Sequence, residues 1–251
     1  MYRLEPNDFL KKRYVGLWGV LAFQAGFINS IGFLACQRYV SHVTGFGTQI
    51  GMSLGNLDFR LAGEMLMAPL FFVFGAWFNG HLTVARSSQG LTPRYDLVTI
   101  LMPIILIVLM FMGYNNLFGE FGGPHSFQQD YILLMALTFF CGMQNACFAT
   151  LTKGQIRTTH LTGISTDFGT DLALTLNGKL NKEERSLAIK KNIMRAVTFL
   201  CFSIGAIISV IIDSTLKYGS FIFPMITSLF VAYIFYKEHR SIDKNFVLKK
   251  S

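Results

Sequence analysis

The sequence predicts an all-α membrane protein. Six transmembrane helices fall into two inverted three-helix repeats, each holding a broken, re-entrant short helix. Three observations predict this. Of 251 residues, 52% are hydrophobic and 14% charged, against about 25% charged in an average soluble domain. Six apolar runs are long enough for the roughly 20 residues that a bilayer crossing needs. A polar, glycine-rich segment occurs twice at a constant offset of 118 residues.

The expected spans are 15–36, 61–84, 96–118, 131–151, 192–213 and 219–236. The first follows Lys11, Lys12 and Arg13 and is too long for the apolar part of a cleaved signal peptide. The third, DLVTILMPIILIVLMFMGYNNLF, is the most apolar, with Pro103 inside it. The first and fourth carry Gln24, Asn29, Gln144 and Asn145, polar groups that lipid cannot satisfy and that must face protein or a cavity.

Basic residues set the orientation. Segments 1–14, 85–95, 152–191 and 237–251 hold 18 of the 22 Lys and Arg, whereas 37–60, 119–130 and 214–218 hold 3. By the positive-inside rule both termini are expected in the cytoplasm. The same clustering excludes nucleic acid as the reason for the net charge of +8. Cys36, Cys141, Cys147 and Cys201 form no CxxC pair and read as small packing residues rather than a metal site.

The duplicated segments are SHVTGFGTQIGMSLG, from Ser41, and THLTGISTDFGTDLA, from Thr159. His42, Thr44, Gly45, Thr48, Gly51 and Leu54 recur as His160, Thr162, Gly163, Thr166, Gly169 and Leu172. Upstream, Gly26-x-x-Asn29 recurs as Gly142-x-x-Asn145 at an offset of 116. Gly47, Gly51 and Gly55 stand four apart, and their counterparts Ser165, Gly169 and Ala173 are small. Such a stripe suits close helix packing in a membrane. Each segment is therefore expected as an extended lead-in, with some β-branched strand character, and then a helix of about 12 residues. Thr44 and Thr162 are the expected N-caps.

A helix of that length does not span, which leaves three crossings per half and inverts the second half. The first repeat is thus 1–118, with its re-entrant segment at 41–56. The second is 131–236, with its re-entrant segment at 159–176, followed by a basic cytoplasmic tail at 237–251.

The run GMQNACFATLTKGQIRTTHLTGISTDFG, with AGFINSIGFL and SHVTG upstream, resembles the YoaK-like family of bacterial inner-membrane proteins. The resemblance covers nearly the whole chain. It implies a multi-pass inner-membrane protein and small-molecule transport, with no substrate attached. Asn29 stands where that family commonly has Asp, and Phe46 where it commonly has Asn.

Candidate binding residues follow from the broken helices. Helix N-termini present unpaired N–H groups and partial positive charge. Thr44, Gly45, Thr48, Thr162, Gly163, Ser165 and Thr166 could therefore frame an anionic or carbonyl group near the midplane, with Asn29, Gln144 and Asn145 lining the cavity. Asp167 and Asp171 are charges at membrane depth, which implies a coupling role; Arg157 or Arg195 is the expected partner of Asp167. Histidine is the side chain that serves as a switch at physiological pH, so His160 and His42 are candidates for a proton step.

No catalytic motif, metal cluster or cofactor signature stands out. The expected function is alternating-access movement of a small polar or anionic solute, open to ion or proton coupling. A channel and a non-transporting scaffold are the alternatives. The expected partners are the lipid bilayer and the solute, without nucleic acid; a homo-oligomer is compatible with them.

Overall fold

The computed structural model describes residues 12–123, 129–152, 154 and 160–248. Among these every regular element is helical. The helices are α1 (Lys12–Cys36), α2 (Val43–Gly55), α3 (Phe59–Gly80), α4 (Tyr95–Tyr114), α5 (Gln129–Leu151), α6 (Leu161–Asn177), α7 (Lys182–Leu216) and α8 (Ile222–Leu248). A widened π-type turn, His81–Ala85, and Arg86–Ser88 extend α3. A 3₁₀ turn, Lys217–Phe221, leads into α8. Val40 to His42 form no strand, so the first lead-in lacks the expected β character. The second lead-in lies largely outside the described residues.

Five stretches are long and apolar enough to cross a membrane: Val15–Cys36, Phe59–Ser88, Tyr95–Tyr114, Tyr131–Leu151 and Lys182–Arg240. The last contains both α7 and α8, which part at Lys217, where φ is +50°. The chain is therefore a membrane protein by the length and composition of its helices. Three boundaries differ from the apolar runs. α4 stops at Tyr114 rather than 118, because Asn115 and Asn116 (φ +58°) turn the chain. α7 starts at Lys182, ten residues before its apolar run. A capping box starts it, in which Asn181 accepts from the Glu184 N–H and the Glu184 carboxylate accepts from the Asn181 N–H. The basic tail is not separate, since α8 continues through Leu248.

The long helices pack in a fixed pattern: α1 along α7, α3 along α5, α4 along α8, with a slighter contact of α1 with α5. Glycines set the two closest crossings. A Cβ at Gly26 would fall on the Phe202 carbonyl, and one at Gly205 on the Phe23 carbonyl. A Cβ at Gly142 would fall on the Phe72 carbonyl, and one at Gly75 on the Phe139 carbonyl. All four glycines sit in Phe-x-x-Gly, and each crossing is reciprocal. Lipid tails are as apolar as leucine, so close backbone approach and dispersion must hold such helices together.

The glycine stripe of α2 behaves differently from expectation. Gly47, Gly51 and Gly55, like Gly163 and Gly169 of α6, have open space where a Cβ would stand. The glycines that meet another helix's backbone, Gly26, Gly75, Gly142 and Gly205, lie on the long helices instead. Trp18, Phe27, Ile28, Phe140, Phe148 and Phe235 fill the core between them.

Candidate functional site

The two short helices begin alike. His42 (φ −97°, ψ 69°) and His160 (φ −100°, ψ 65°) occupy the N-cap positions, and neither gives a side-chain cap bond. The expected caps, Thr44 and Thr162, lie inside the first turn. The helices start at Val43 and Leu161, where the histidine carbonyls accept the first helical bonds, from Phe46 N–H and Ile164 N–H. Thr48 and Thr166 each donate their hydroxyl to the carbonyl four residues back, at Thr44 and Thr162. These hydroxyls are therefore occupied by the backbone, as threonine commonly is in helices.

An asparagine from a long helix ties down each lead-in. Asn29 Oδ1 on α1 accepts from Ser41 N–H at 3.2 Å and from Ser41 Oγ at 2.9 Å. Asn145 Nδ2 on α5 stands 3.1 Å from His160 Nε2. An Asp would fit this position too, because the bonds to Ser41 use only the Asn29 acceptor oxygen. Asn29→Asp is expected to change stability by less than about 1 kcal/mol, whereas Asn29→Leu should cost about 1–3 kcal/mol by leaving Ser41 unpaired. Thermal unfolding in detergent micelles checks both. Phe46 is 4% exposed and anchors α2 in the core.

Charge concentrates at α6. Arg195 on α7 donates to Asp171 Oδ2 at 2.6 Å, to Asn192 Oδ1 at 2.8 Å and to the Asp167 carbonyl at 3.1 Å. Its Nη2 lies 3.6 Å from Asp167 Oδ2. One guanidinium thus holds both carboxylates of the i, i+4 pair, and the cluster keeps one net negative charge. The Asp167 side chain is 65% exposed and that of Asp171 27%. Asp167 therefore has the freer carboxylate. Arg195 is the expected partner that the structure places here; Arg157 lies outside the described residues. A groove of about 350 Å³ opens beside the cluster, lined by Ser165, Phe168, Arg195 and apolar neighbours.

Gln144 is turned into the contact with α1, where Nε2 donates to the Leu21 carbonyl at 3.4 Å. Gln24, also buried, donates to Ser228 and accepts from Thr227 on α8. These two side chains join helices in the core. The buried oxygens Gln144 Oε1 and Asn145 Oδ1 have no partner among the described residues.

The candidate residues form two groups rather than one. α2 packs along α3 and α6 along α7, and no comparable contact joins α2 to α6. Thr44, Thr48, Thr162, Gly163, Ser165 and Thr166 are exposed, and Gly45 is half-buried with its Cα face under the His42 ring. Sequence reasoning missed Asn192, whose amide completes the Arg195 cluster. It also missed Asp96 of α4, buried and held by Arg94 at 3.0 Å, with His239 of α8 at 3.9 Å. It missed Arg38, which lines grooves on both sides of Gln49. The sparse outward-side basic residues were the signal that could have found Arg38.

No curated protein and no solved structure matches the chain. A family model matches residues 17–234. The chain accordingly belongs to the family described as Protein of unknown function (DUF1275).

Proposed function

We propose that this chain is a YoaK-like transporter of the bacterial inner membrane. It moves a small polar or anionic solute by alternating access, across six spans arranged as two inverted three-helix repeats. Both termini face the cytoplasm. The observation that carries this is the doubled packing. The crossing of α1 with α7 and that of α5 with α3 use the same Phe-x-x-Gly contacts. Each repeat's first helix thereby packs on the other repeat's second, and each short helix rides on one of the resulting pairs.

Two tightly locked units, α1–α7–α6 and α3–α5–α2, then meet through the slighter α1–α5 contact and through the α4–α8 pair, of which α4 touches α5 and α8 touches α1. Units of that kind can rock as rigid bodies, which is the motion alternating access needs. The two short helices sit one on each unit, so each contributes a half-site. Asp167, with one uncompensated charge in its cluster, is the coupling carboxylate. Asp171 and Arg195 hold its helix in place, and His160 is fixed through Asn145.

Reporter fusions test the topology. A fusion near residue 122 should read periplasmic and one near residue 180 cytoplasmic; both on one side would end the inverted arrangement. For function, thermal unfolding across a solute panel identifies a ligand, because saturation at 100 times Kd adds about 2.7 kcal/mol. With that solute, flux into vesicles should saturate. Asp167→Asn should abolish its dependence on a proton gradient. Flux that never saturates would mark a channel, and unchanged coupling would remove Asp167 from the mechanism.

A further inference from the structure

Arg38, in the turn between α1 and α2, is a cation that has no carboxylate partner among the described residues. In the orientation proposed above, three basic residues face outward: Arg38, Arg60 and Lys217. Arg60 pairs with Glu64 at 3.1 Å, and Lys217 with Glu120 at 3.9 Å. Arg38 donates from Nη1 to the adjacent Gln37 carbonyl, and its buried Nε has no partner among the described residues. A cation on the outward side opposes the orientation rule, and a shielded guanidinium N–H without an acceptor costs free energy.

The same arginine lines a groove of about 230 Å³ between α2 and α3, together with Gln49, Ser53, Asn56 and Asp58. On its other side it lines a smaller hollow of about 100 Å³ with His42, Gly45 and Gln49. Gln49 stands where the second repeat has Asp167, and Ser53 where it has Asp171. The first half therefore has neutral hydrogen-bonding groups on its short helix where the second half has acids. The guanidinium of Arg38 is not cancelled from that helix.

Asp58 sets the second requirement. Its carboxylate caps α3 by accepting from Leu61 N–H at 2.9 Å, and its side chain takes part in no ion pair among the described residues. The groove thus holds one cation and one anion, with Gln49, Ser53 and Asn56 as neutral donors and acceptors. A dianion would be repelled by Asp58 and a plain amine by Arg38.

We infer that this groove is an outward-side binding site for a small zwitterionic solute, its carboxylate on Arg38 and its ammonium toward Asp58. The inference rests on the transport reading for its orientation and for the solute's passage, while the site itself is built by residues on one side of the molecule.

The test is chemical protection of Arg38 in the full chain in micelles. Phenylglyoxal modifies accessible guanidinium groups, and mass spectrometry reads the extent at Arg38. 4-Aminobutanoate should protect Arg38 at a concentration about ten-fold below that needed of butanoate, a difference of about 1.4 kcal/mol. Butylammonium should not protect. Asp58→Asn, which keeps a capping oxygen for Leu61, should reduce the zwitterion's advantage to within about three-fold. Equal protection by butanoate and 4-aminobutanoate in the wild-type chain would overturn the inference. So would protection by neither up to about 100 mM, where a useful site would be saturated. Protection of Arg38 without flux into vesicles would leave the site and remove the transport function. Flux of 4-aminobutanoate with Arg38 reactive throughout would do the reverse.

Discussion

Gly26→Ala will cost the protein at least about 3 kcal/mol, at the upper end of what overpacking ordinarily costs. The added methyl would fall on the Phe202 carbonyl, a backbone atom that cannot rotate aside. α1 and α7 must then separate along their whole contact, which opens voids around neighbouring core side chains. The reciprocal position, Gly205 against the Phe23 carbonyl, should behave alike. Because the second crossing repeats the first, Gly142→Ala and Gly75→Ala should be equally harmful.

Gly51→Ala is the contrast. It has open space at its Cβ, so alanine should be neutral or stabilising by up to about 1 kcal/mol through helix propensity. Denaturant titration of the purified chain in micelles measures all five variants. If Gly26 and Gly51 proved equally tolerant, the four-glycine account of the packing would fail. If Gly51→Ala were the damaging one, α2 would have a close neighbour on that face.

Arg195→Met is expected to lose about 2 kcal/mol. Removing one partner of a fully buried ion pair costs about 3–5 kcal/mol. Here the side chains of Arg195 and Asp171 are 18% and 27% exposed, so solvent screens part of the effect. Asp167, at 65% exposed, contributes little to the loss. Two carboxylates one turn apart on α6 would then stand side by side without a cation. Adding Asp171→Asn to Arg195→Met should recover about half of the loss, because the less exposed of the two charges is gone. Arg195→Lys should cost about 1 kcal/mol, since an ammonium keeps the charge but cannot span Asp171, Asn192 and the Asp167 carbonyl together. Thermal unfolding of the four proteins decides it. A double variant no more stable than Arg195→Met would show that the cluster acts through packing rather than charge.

Much of the fold was legible because a bilayer imposes a one-dimensional code. Runs near 20 apolar residues located helices that the structure places at Val15–Cys36, Phe59–Ser88, Tyr95–Tyr114 and Tyr131–Leu151. Where helices left the apolar zone, hydropathy was silent. The first ten residues of α7 are rich in charge and start at a capping box, and α8 runs on into the basic tail. The short helices were found through duplication. Their N-caps were displaced by two residues because a threonine can serve either as a cap or as a first-turn residue bonded to the backbone. Arg195 is one of the two partners expected for Asp167; its shorter bond to Asp171, which makes it the clamp of both carboxylates, was not legible in the spacing.

That the chain is a helical membrane protein with a duplicated motif can be read from its residues alone. Composition and periodicity are local quantities, read without knowing what touches what. Which glycines are structural depends on how the helices pack. Gly26, Gly75, Gly142 and Gly205 meet backbone carbonyls from helices far away in sequence, whereas the more regular stripe at Gly47, Gly51 and Gly55 meets nothing. Only the tertiary structure separated the candidate residues into two groups, and it alone left Arg38 facing a groove with Asp58. Those outcomes depend on which faces of distant helices come together, and spacing within one segment carries no record of that.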